Sequence, residues 1–351
     1  MFSSQPSPRD VHGPLRLWLA AVALLIAVTA IVGAATRLTG SGLSITEWEP
    51  ILGILPPLGE EQWLAAFEKY KAIPQYAQLN KGMSLAAFKA IYGWEWSHRL
   101  LARSIGLLVV LPLLGFWALG RIPKGLTPRL VALLALGGLQ GAIGWYMVKS
   151  GLAGRVDVSQ YRLALHLGLA VAILGLTLGT IFGLLPDQER SHLVTITPVQ
   201  RWLAVALAAL VYLQTLLGAL VAGLKAGRTF NTWPLMDGSL IPDGLGQMTP
   251  VWHNFFENPA LVQFNHRLLA YVLIGLGLAH AAALNRSADD ERVRFSAGLL
   301  AALMLGQAAL GIWTLLAWVP VHLGVAHQAG ALIVFTAAIW HLFTIRRARK
   351  P

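Results

Sequence analysis

The chain alternates between long apolar runs and short polar connections. A bilayer is crossed by a helix of roughly 20 apolar residues, and eight runs meet this requirement: 17–36, 100–119, 130–148, 163–185, 202–224, 261–284, 295–317 and 320–345. The pattern predicts an all-α polytopic membrane protein with eight transmembrane helices. The longest connection is 37–93, and within it Glu61–Lys71 has the pattern of a short amphipathic helix lying at the interface.

Composition supports the membrane prediction and removes several kinds of chemistry. Only 12% of the residues are charged, whereas soluble domains carry about 25%. The first apolar run is too long for the core of a signal peptide, and the 1–16 tail lacks the Arg-rich pattern of a transit peptide. The chain has no cysteine, which excludes disulfides, thiolate metal sites and cysteine nucleophiles.

The net charge of +11 reflects membrane orientation rather than nucleic-acid binding. With the N-terminus inside, the inner segments hold 14 Lys and Arg against 6 acidic residues. This excess has the sign of the positive-inside rule. Both termini are therefore predicted to face the cytoplasm.

The two halves of the sequence repeat each other. Matching residues recur in the same order, and the offset between the halves changes mainly in the outer loops. The matches are Gly33, Gly42 and Trp48 with Gly218, Gly227 and Trp233 (offset 185), His98 with His266 (168), Gln140 and Gly144 with Gln307 and Gly311 (167), and His166 with His327 (161). We expect a cytoplasmic tail (1–16) and two pseudo-symmetric four-helix bundles, 17–190 and 191–351, related by an axis along the membrane normal. Their long outer loops would be 37–93 and 225–260.

Ionisable residues inside a membrane span indicate function, and here they fall only on the even-numbered spans. Four of them are the repeated histidines, which are expected near the outer ends of their helices at matching depth: His98, His166, His266 and His327. Two imidazoles from different helices of one bundle suit the axial positions of a haem iron. His98 with His166, and His266 with His327, are therefore predicted as two metal-ligand pairs. His280, His322 and His341 lack repeat counterparts, and we expect them to be hydrogen-bonded structural residues.

The halves differ beside the first repeated histidine. Glu95 precedes His98 by three residues and shares its helix face, whereas the corresponding residue before His266 is Gln263. A carboxylate near a macrocycle can accept a proton or stabilise positive charge. The alternative is that Glu95 faces the outer water or pairs with Arg99 or Arg103.

An arginine directly follows each of these histidines, at Arg99 and Arg267. Either arginine can pair with a haem propionate near the outer surface. The alternative is that each extends its guanidinium toward the lipid headgroups. The sequence leaves both interpretations open.

Several of these motifs resemble those of the heme A synthase family. They are EWSHR at 95–99, TRLTGSGLSITEWEPILGILPP at 36–57, NTWPLMDG at 231–238 and the pair His327-Gln328. The resemblance covers nearly the whole chain. It implies an eight-helix membrane oxidoreductase that converts the C8 methyl of haem O to the formyl group of haem A for terminal oxidases.

Further expectations follow from the resemblance, residue by residue. His98 and His166 would hold the iron of the substrate haem O, and His266 and His327 would be the axial ligands of a haem b cofactor. Glu95 would be the catalytic carboxylate. Some family members carry a cysteine pair in the outer loops, so this cysteine-free chain resembles the long-loop proteobacterial and mitochondrial type, and a bacterial inner membrane is expected.

The expected partners are haem O, membrane lipid and an electron-transfer partner that the sequence does not name. The haem O-producing enzyme and a second copy of the chain are further candidates, and nucleic acid is not expected. Two competing functions remain: a di-haem b cytochrome that only passes electrons, and a haem exporter or chaperone that releases haem unchanged. The contrast between Glu95 and Gln263 favours an enzyme.

The charge bias generates a topology prediction. Reporter domains fused after Pro351 and inserted within the 37–93 loop should report opposite sides of the membrane, because seven of the eight predicted spans, an odd number, lie between them. Equal sidedness of the two reporters would show that the predicted number of helices is wrong.

Overall fold

The computed structural model describes residues 12–49, 52–152, 156–185 and 196–348. In these ranges eight helices are long and apolar enough to cross a membrane, which confirms the predicted architecture, and the isolated bridge between Met236 and Ser239 is the only β-structure. The α-helices are α1 (Gly13–Leu38), α2 (Glu60–Lys71), α3 (Leu85–Ala118), α4 (Thr127–Leu152), α5 (Gln160–Gly183), α6 (Pro198–Gly223), α7 (Asn254–Glu257), α8 (Pro259–Ser287), α9 (Glu291–Leu316) and α10 (Val321–Arg347).

The helix boundaries differ from the predicted spans. Because α1 begins at Gly13, the last residues of the predicted 1–16 tail are helical. The remainder of that tail, 1–11, lies outside the described residues, as do His192, Arg349 and Lys350. The cytoplasmic position of both termini and the division into 17–190 and 191–351 remain predictions.

Polar capping residues explain where several helices start. The Ser84 hydroxyl accepts a hydrogen bond from the Ala87 amide at 3.2 Å, and the Asn258 side chain accepts one from the Ala260 amide at 3.0 Å. Thr197 and Gln200 form a reciprocal capping box at the start of α6. Such caps satisfy amides that have no partner inside the helix, so these helices begin at the cap rather than at the first apolar residue.

The largest boundary error is at α3, which starts at Leu85 rather than near residue 100. Its first turns pack against α2 through a small aromatic cluster in which Phe67, Tyr70 and Phe88 are at most 5% exposed. Phe88 stacks on Phe67 with ring centroids 4.8 Å apart. The predicted amphipathic helix is therefore present as α2, and its apolar face is covered by α3.

The centre of the molecule is formed by α1, α5, α6 and α10, with α5 packed on α6 and α10 packed on both α1 and α5. The helices α3 and α4 lie outside on one flank, and α8 and α9 on the other. We call α1 and α3–α5 the first half, and α6 and α8–α10 the second half. Each half thus contributes two central helices, which form a shared core, and two peripheral helices.

Close backbone contacts join the two halves. A methyl group at Gly223 of α6 would lie 2.6 Å from Cα of Gln160 on α5, so only glycine permits this approach. At the end of α1, the Arg37 guanidinium donates to the carbonyls of Ala222 and Gly223, each at 3.2 Å. The outer ends of α1, α5 and α6 are thereby held together.

Candidate functional site

Each of the four repeated histidines lies against a glycine on a neighbouring helix. The contact is so close that a methyl group on the glycine would crowd Cε1 of the imidazole: Gly33 at 2.9 Å from His98, Gly144 at 3.0 Å from His166, Gly218 at 3.3 Å from His266 and Gly311 at 2.8 Å from His327. These glycines are the ones that recur in the sequence repeat. The repeat is therefore explained by four equivalent glycine–imidazole contacts.

Three of the histidines are also held by a glutamine. The side-chain amides of Gln140, Gln214 and Gln307 donate to the backbone carbonyls of His166, His266 and His327 at 3.0, 2.9 and 2.8 Å, and each also lies 3.1–3.2 Å from the imidazole Nδ1. Oε1 of all three glutamines is buried and has no donor among the described residues. Metal-bound histidines require an acceptor for their second N–H, but the glutamine atom beside each Nδ1 in this structure is the amide nitrogen, which donates.

His98 is the exception, because its Nδ1 lies 3.1 Å from the backbone carbonyl of Thr29. A carbonyl only accepts, so Nδ1 carries the proton and Nε2 keeps a lone pair. Thr29 stands at offset 185 from Gln214, which is the glutamine that contacts His266. Sequence analysis missed Gln214, because its counterpart in the first half is not a glutamine.

The sequence predicted one histidine pair in each half, and a ring distance can be given for the second of them. In the second half the ring centroids of His266 and His327 are 6.4 Å apart, with ring planes at 73°. Two imidazoles on opposite sides of one metal atom, with bonds of about 2 Å, have centroids about 6.3 Å apart. In the first half His98 lies close enough to His166 for the two side chains to interact electrostatically.

The spacing of the second pair therefore fits one metal atom between two imidazoles. Among the described residues, no three His, Cys, Asp or Glu side chains form a cluster that holds a metal ion by itself. A haem needs only two axial ligands from the protein, since the macrocycle provides the other four. The spacing of the second-half histidine pair and the glycine contacts of all four imidazoles fit this group.

One difference from expectation concerns depth. His166, His266 and His327 lie six or seven residues inside their helices, but His98 lies thirteen residues beyond Leu85. The reason is that α3 continues outward to pack on α2. His98 nevertheless lies against Gly33, as the other three histidines lie against their glycines. The larger residue count therefore comes from the extra turns at the start of α3 and not from a different position of the histidine.

Glu95 is buried beside the first pair, with 2% of its surface exposed. Its Oε2 accepts hydrogen bonds from the Ser44 hydroxyl at 2.8 Å and the Ile45 amide at 2.9 Å. Its Oε1 accepts from Arg99 Nη2 at 2.7 Å and Nε at 3.1 Å. The structure thus shows the pairing with Arg99 that the sequence offered as the alternative to a chemical role, while the catalytic role itself stays a prediction.

Arg99 also binds the outer loop. It donates to the carbonyls of Ile45 and Glu47, both at 2.8 Å. Together with the two bonds to Glu95, four of its N–H groups are used out of the five that an arginine carries. We call Glu95, Arg99, Ser44, Ile45 and Glu47 the outer clasp, because they fasten the 41–49 segment to α3.

The second half has a weaker version of the same clasp. Arg267 donates to the carbonyls of Phe230 and Thr232, both at 2.9 Å, and these residues stand at offset 185 from Ile45 and Glu47. Gln263 donates to Phe230 at 2.8 Å. However, Oε1 of Gln263 and Nε of Arg267 are buried and have no partner among the described residues. Replacing a carboxylate by an amide therefore breaks the link that Glu95 makes.

A further cation near the first pair was missed by sequence analysis. Arg162 lies one turn before His166 on α5, and its guanidinium stands 4.9 Å above the ring of Tyr146 on α4. Its Nη1 is buried without an acceptor among the described residues. The repeat contained the signal, since the counterpart of Arg162 at offset 161 is Leu323. Nη1 of Arg162 can therefore donate a hydrogen bond to an anionic group, whereas four N–H groups of Arg99 already bind Glu95 and the loop.

The histidines without repeat counterparts lie elsewhere. His280 and His341 are fully buried and share a hydrogen bond between their Nε2 atoms at 2.9 Å. Ser296 donates to the Val293 carbonyl and lies 2.8 Å from Nδ1 of His341, so that nitrogen carries the proton. They are hydrogen-bonded core residues, as expected, whereas His322 is exposed at the start of α10.

Comparison with known proteins identifies relatives over almost the full length. Residues 16–339 match the model of a family described as cytochrome oxidase assembly protein. The chain is 50% identical to the heme A synthase of Parvibaculum lavamentivorans, over 96% of this chain and 95% of that protein. It is 53% identical to the heme A synthase of a Chelativorans species and 52% identical to that of Mesorhizobium japonicum, in both cases over 93% of this chain and about nine-tenths of the relative.

The glycine contacts generate a matched test on α9. Gly311→Ala places a methyl group 2.8 Å from Cε1 of His327, whereas Gly306→Ala on the same helix meets nothing within 4 Å. Overpacking typically costs about 1–3 kcal/mol. We expect the purified Gly311→Ala protein to lose most of the haem absorbance of its second half, and the Gly306→Ala protein to keep it. Equal haem content in the two variants would contradict the close contact.

Proposed function

The chain belongs to the heme A synthase family, and we propose that it oxidises haem O to haem A in its first half while its second half holds a haem b. In this reaction the C8 methyl of the macrocycle becomes a formyl group, so the carbon loses hydrogen and gains one oxygen atom. The protein is a multi-pass membrane protein by its eight apolar helices. We place it in a bacterial inner membrane, because the relatives that it matches are bacterial proteins.

The observation that carries the proposal is the difference between two otherwise matched histidine sites. Both halves present paired imidazoles against glycines, but only the first half adds a buried carboxylate that accepts four hydrogen bonds. In the second half the same position is an amide. One site therefore carries a group suited to chemistry, and the other is suited to holding a cofactor.

In the first half, His98 and His166 would hold the iron of the substrate haem O. The Thr29 carbonyl fixes His98 in the tautomer whose Nε2 lone pair is available. Nη1 of Arg162 is buried and has no acceptor in the described part of the chain. It is therefore a better candidate for a propionate contact than Arg99, which uses four of its five N–H groups on Glu95 and the loop. Arg99 then acts through the outer clasp.

In the second half, His266 and His327 would be the axial ligands of haem b. This group supplies the redox chemistry that takes up or passes on electrons when it is bound. The chain contributes the ligand spacing of 6.4 Å and the glutamines behind the two rings.

Glu95 stabilises the positive charge of Arg99 and helps to fasten the 41–49 segment to α3. Both of its oxygens are occupied, so it takes up a proton only when one of these hydrogen bonds is exchanged. The Ser44 hydroxyl is the donor that can both give and accept a proton, and it lies 2.8 Å from Oε2. We therefore assign proton acceptance, where the reaction releases protons, to the pair of Glu95 and Ser44.

The cofactor assignment predicts a spectroscopic result. Replacing His266 or His327 with Ala should remove the low-spin haem spectrum of the purified protein, because one axial ligand is lost. The matched control is His322→Ala, since His322 is exposed on the same helix as His327. A low-spin spectrum that survives in both ligand variants would exclude the second-half pair as axial ligands.

The role of Glu95 predicts a change in product. Glu95→Gln keeps the side-chain volume but leaves Arg99 Nε without an acceptor, as in Arg267. Loss of a positioned acid–base group typically lowers the rate about 10²–10⁴-fold. Cells carrying the variant should accumulate haem O or a hydroxymethyl intermediate, with little haem A, while the haem b spectrum persists.

Two controls separate chemistry from loop closure in this experiment. Arg99→Lys weakens the outer clasp and keeps the carboxylate, and Gln263→Glu adds a carboxylate to the second half without making it active. Normal haem A output from Glu95→Gln protein at wild-type abundance would leave Glu95 as a structural charge only.

A further inference from the structure

The two peripheral helices of each half pack differently against each other. In the second half α8 and α9 are packed against each other along their length, whereas in the first half α3 and α4 make few contacts. No residue in the most apolar window of α3 is buried, while 22% of the corresponding window is buried in α8. The first half is therefore open between α3 and α4.

One side chain differs at a matched position of the two helix pairs. Met304 of α9 lies against Gly277 of α8, where a methyl group would be 2.9 Å from its sulfur. At the repeat offsets of 167 and 168, the residues that correspond to Met304 and Gly277 are Gly137 of α4 and Val109 of α3. A methyl group at Gly137 would meet nothing within 4 Å. The first half thus lacks the side chain that closes the second.

The open position lies below the candidate substrate site. Gly137, Gly141 and Gly144 are spaced by four and three residues and share one face of α4. Gly144 contacts His166, and Gly137 lies two turns, or about 10 Å, deeper in the membrane. Gln140 is on this face too, and its buried Oε1 has no donor among the described residues. We call this space the α3–α4 slot.

At the end of α4 that lies near the 41–49 segment, a separate cavity of about 230 Å³ lies between α3 and α4. Arg99 of α3, Trp145 and Lys149 of α4 and the loop residues Thr46 to Trp48 line it. Space between α3 and α4 is therefore found at two levels, beside the loop residues and at Gly137.

We infer that the α3–α4 slot receives the isoprenoid tail of the substrate, and that Met304 excludes a tailed haem from the second half. The inference rests on the proposed function. Haem O differs from haem b in carrying a long isoprenoid side chain, so two sites with equivalent histidines need another feature to separate the two haems. An apolar slot open to lipid suits that chain, and a closed helix pair suits a haem without it.

Exchanging the side chains tests the inference. Full-length protein that carries its resident haem is mixed with haem O or with additional haem b, freed of unbound haem and extracted for mass spectrometry. Gly137→Met should weaken haem O binding by about tenfold or more, the size expected for overpacking a close-fitting site, and leave added haem b bound as in wild type. Gly306→Met on the exposed face of α9 is the control for a new methionine.

The reciprocal variant keeps the test decisive if Gly137→Met does not fold. Met304→Gly should allow haem O to replace haem b in the second half, which wild type should not permit. The inference is wrong if Gly137→Met binds haem O with wild-type affinity. It is also wrong if the second half of Met304→Gly binds haem b alone. Haem A formation by wild type is measured in parallel. If haem A forms but the variants do not discriminate, only the slot is wrong. If wild type forms no haem A, the proposed function and the slot fall together.

Discussion

An imidazole that must reach a metal between packed membrane helices needs room beside its ring. In this protein the room comes from a glycine on the neighbouring helix at each of four histidines. The contact distances leave no space for even a methyl group, so the glycine fixes both the helix separation and the orientation of the ring. The contacts that recur in the two halves follow from this requirement, because each histidine has its own glycine and, in three cases, a glutamine.

Around these recurring contacts a few substitutions make the halves chemically different. Glu95 completes the outer clasp in the first half, whereas two buried atoms of Gln263 and Arg267 in the second half have no partner within the described ranges. Arg162 has a buried N–H without an acceptor in the same ranges, where the second half has Leu323. Met304 closes one helix pair whose counterpart at Gly137 is open. Together these differences favour a reactive, substrate-exchanging first half and a closed second half that keeps its cofactor.

The sequence predicted those features that can be read from the order of the residues alone. Eight apolar runs and rare intramembrane histidines are visible without a fold, since lipid penalises polar groups wherever they occur. The repeat also pointed to Gly33 and Gly144, although not to their contacts with imidazoles. Features that depend on loop conformation were not predictable. The binding of Arg99 to the Ile45 and Glu47 carbonyls requires the folded outer loop, and the extra turns of α3 depend on its packing with α2.

The central claim is that the two histidine pairs hold different haems. The most direct measurement is mass spectrometry of haem extracted from purified wild-type protein and from a variant with His98→Ala and His166→Ala. We expect haem b in equal amount in both proteins, and haem O or haem A only in wild type. Loss of haem b from the variant, or haem O bound to it at the wild-type level, would contradict the assignment of substrate to the first half and cofactor to the second.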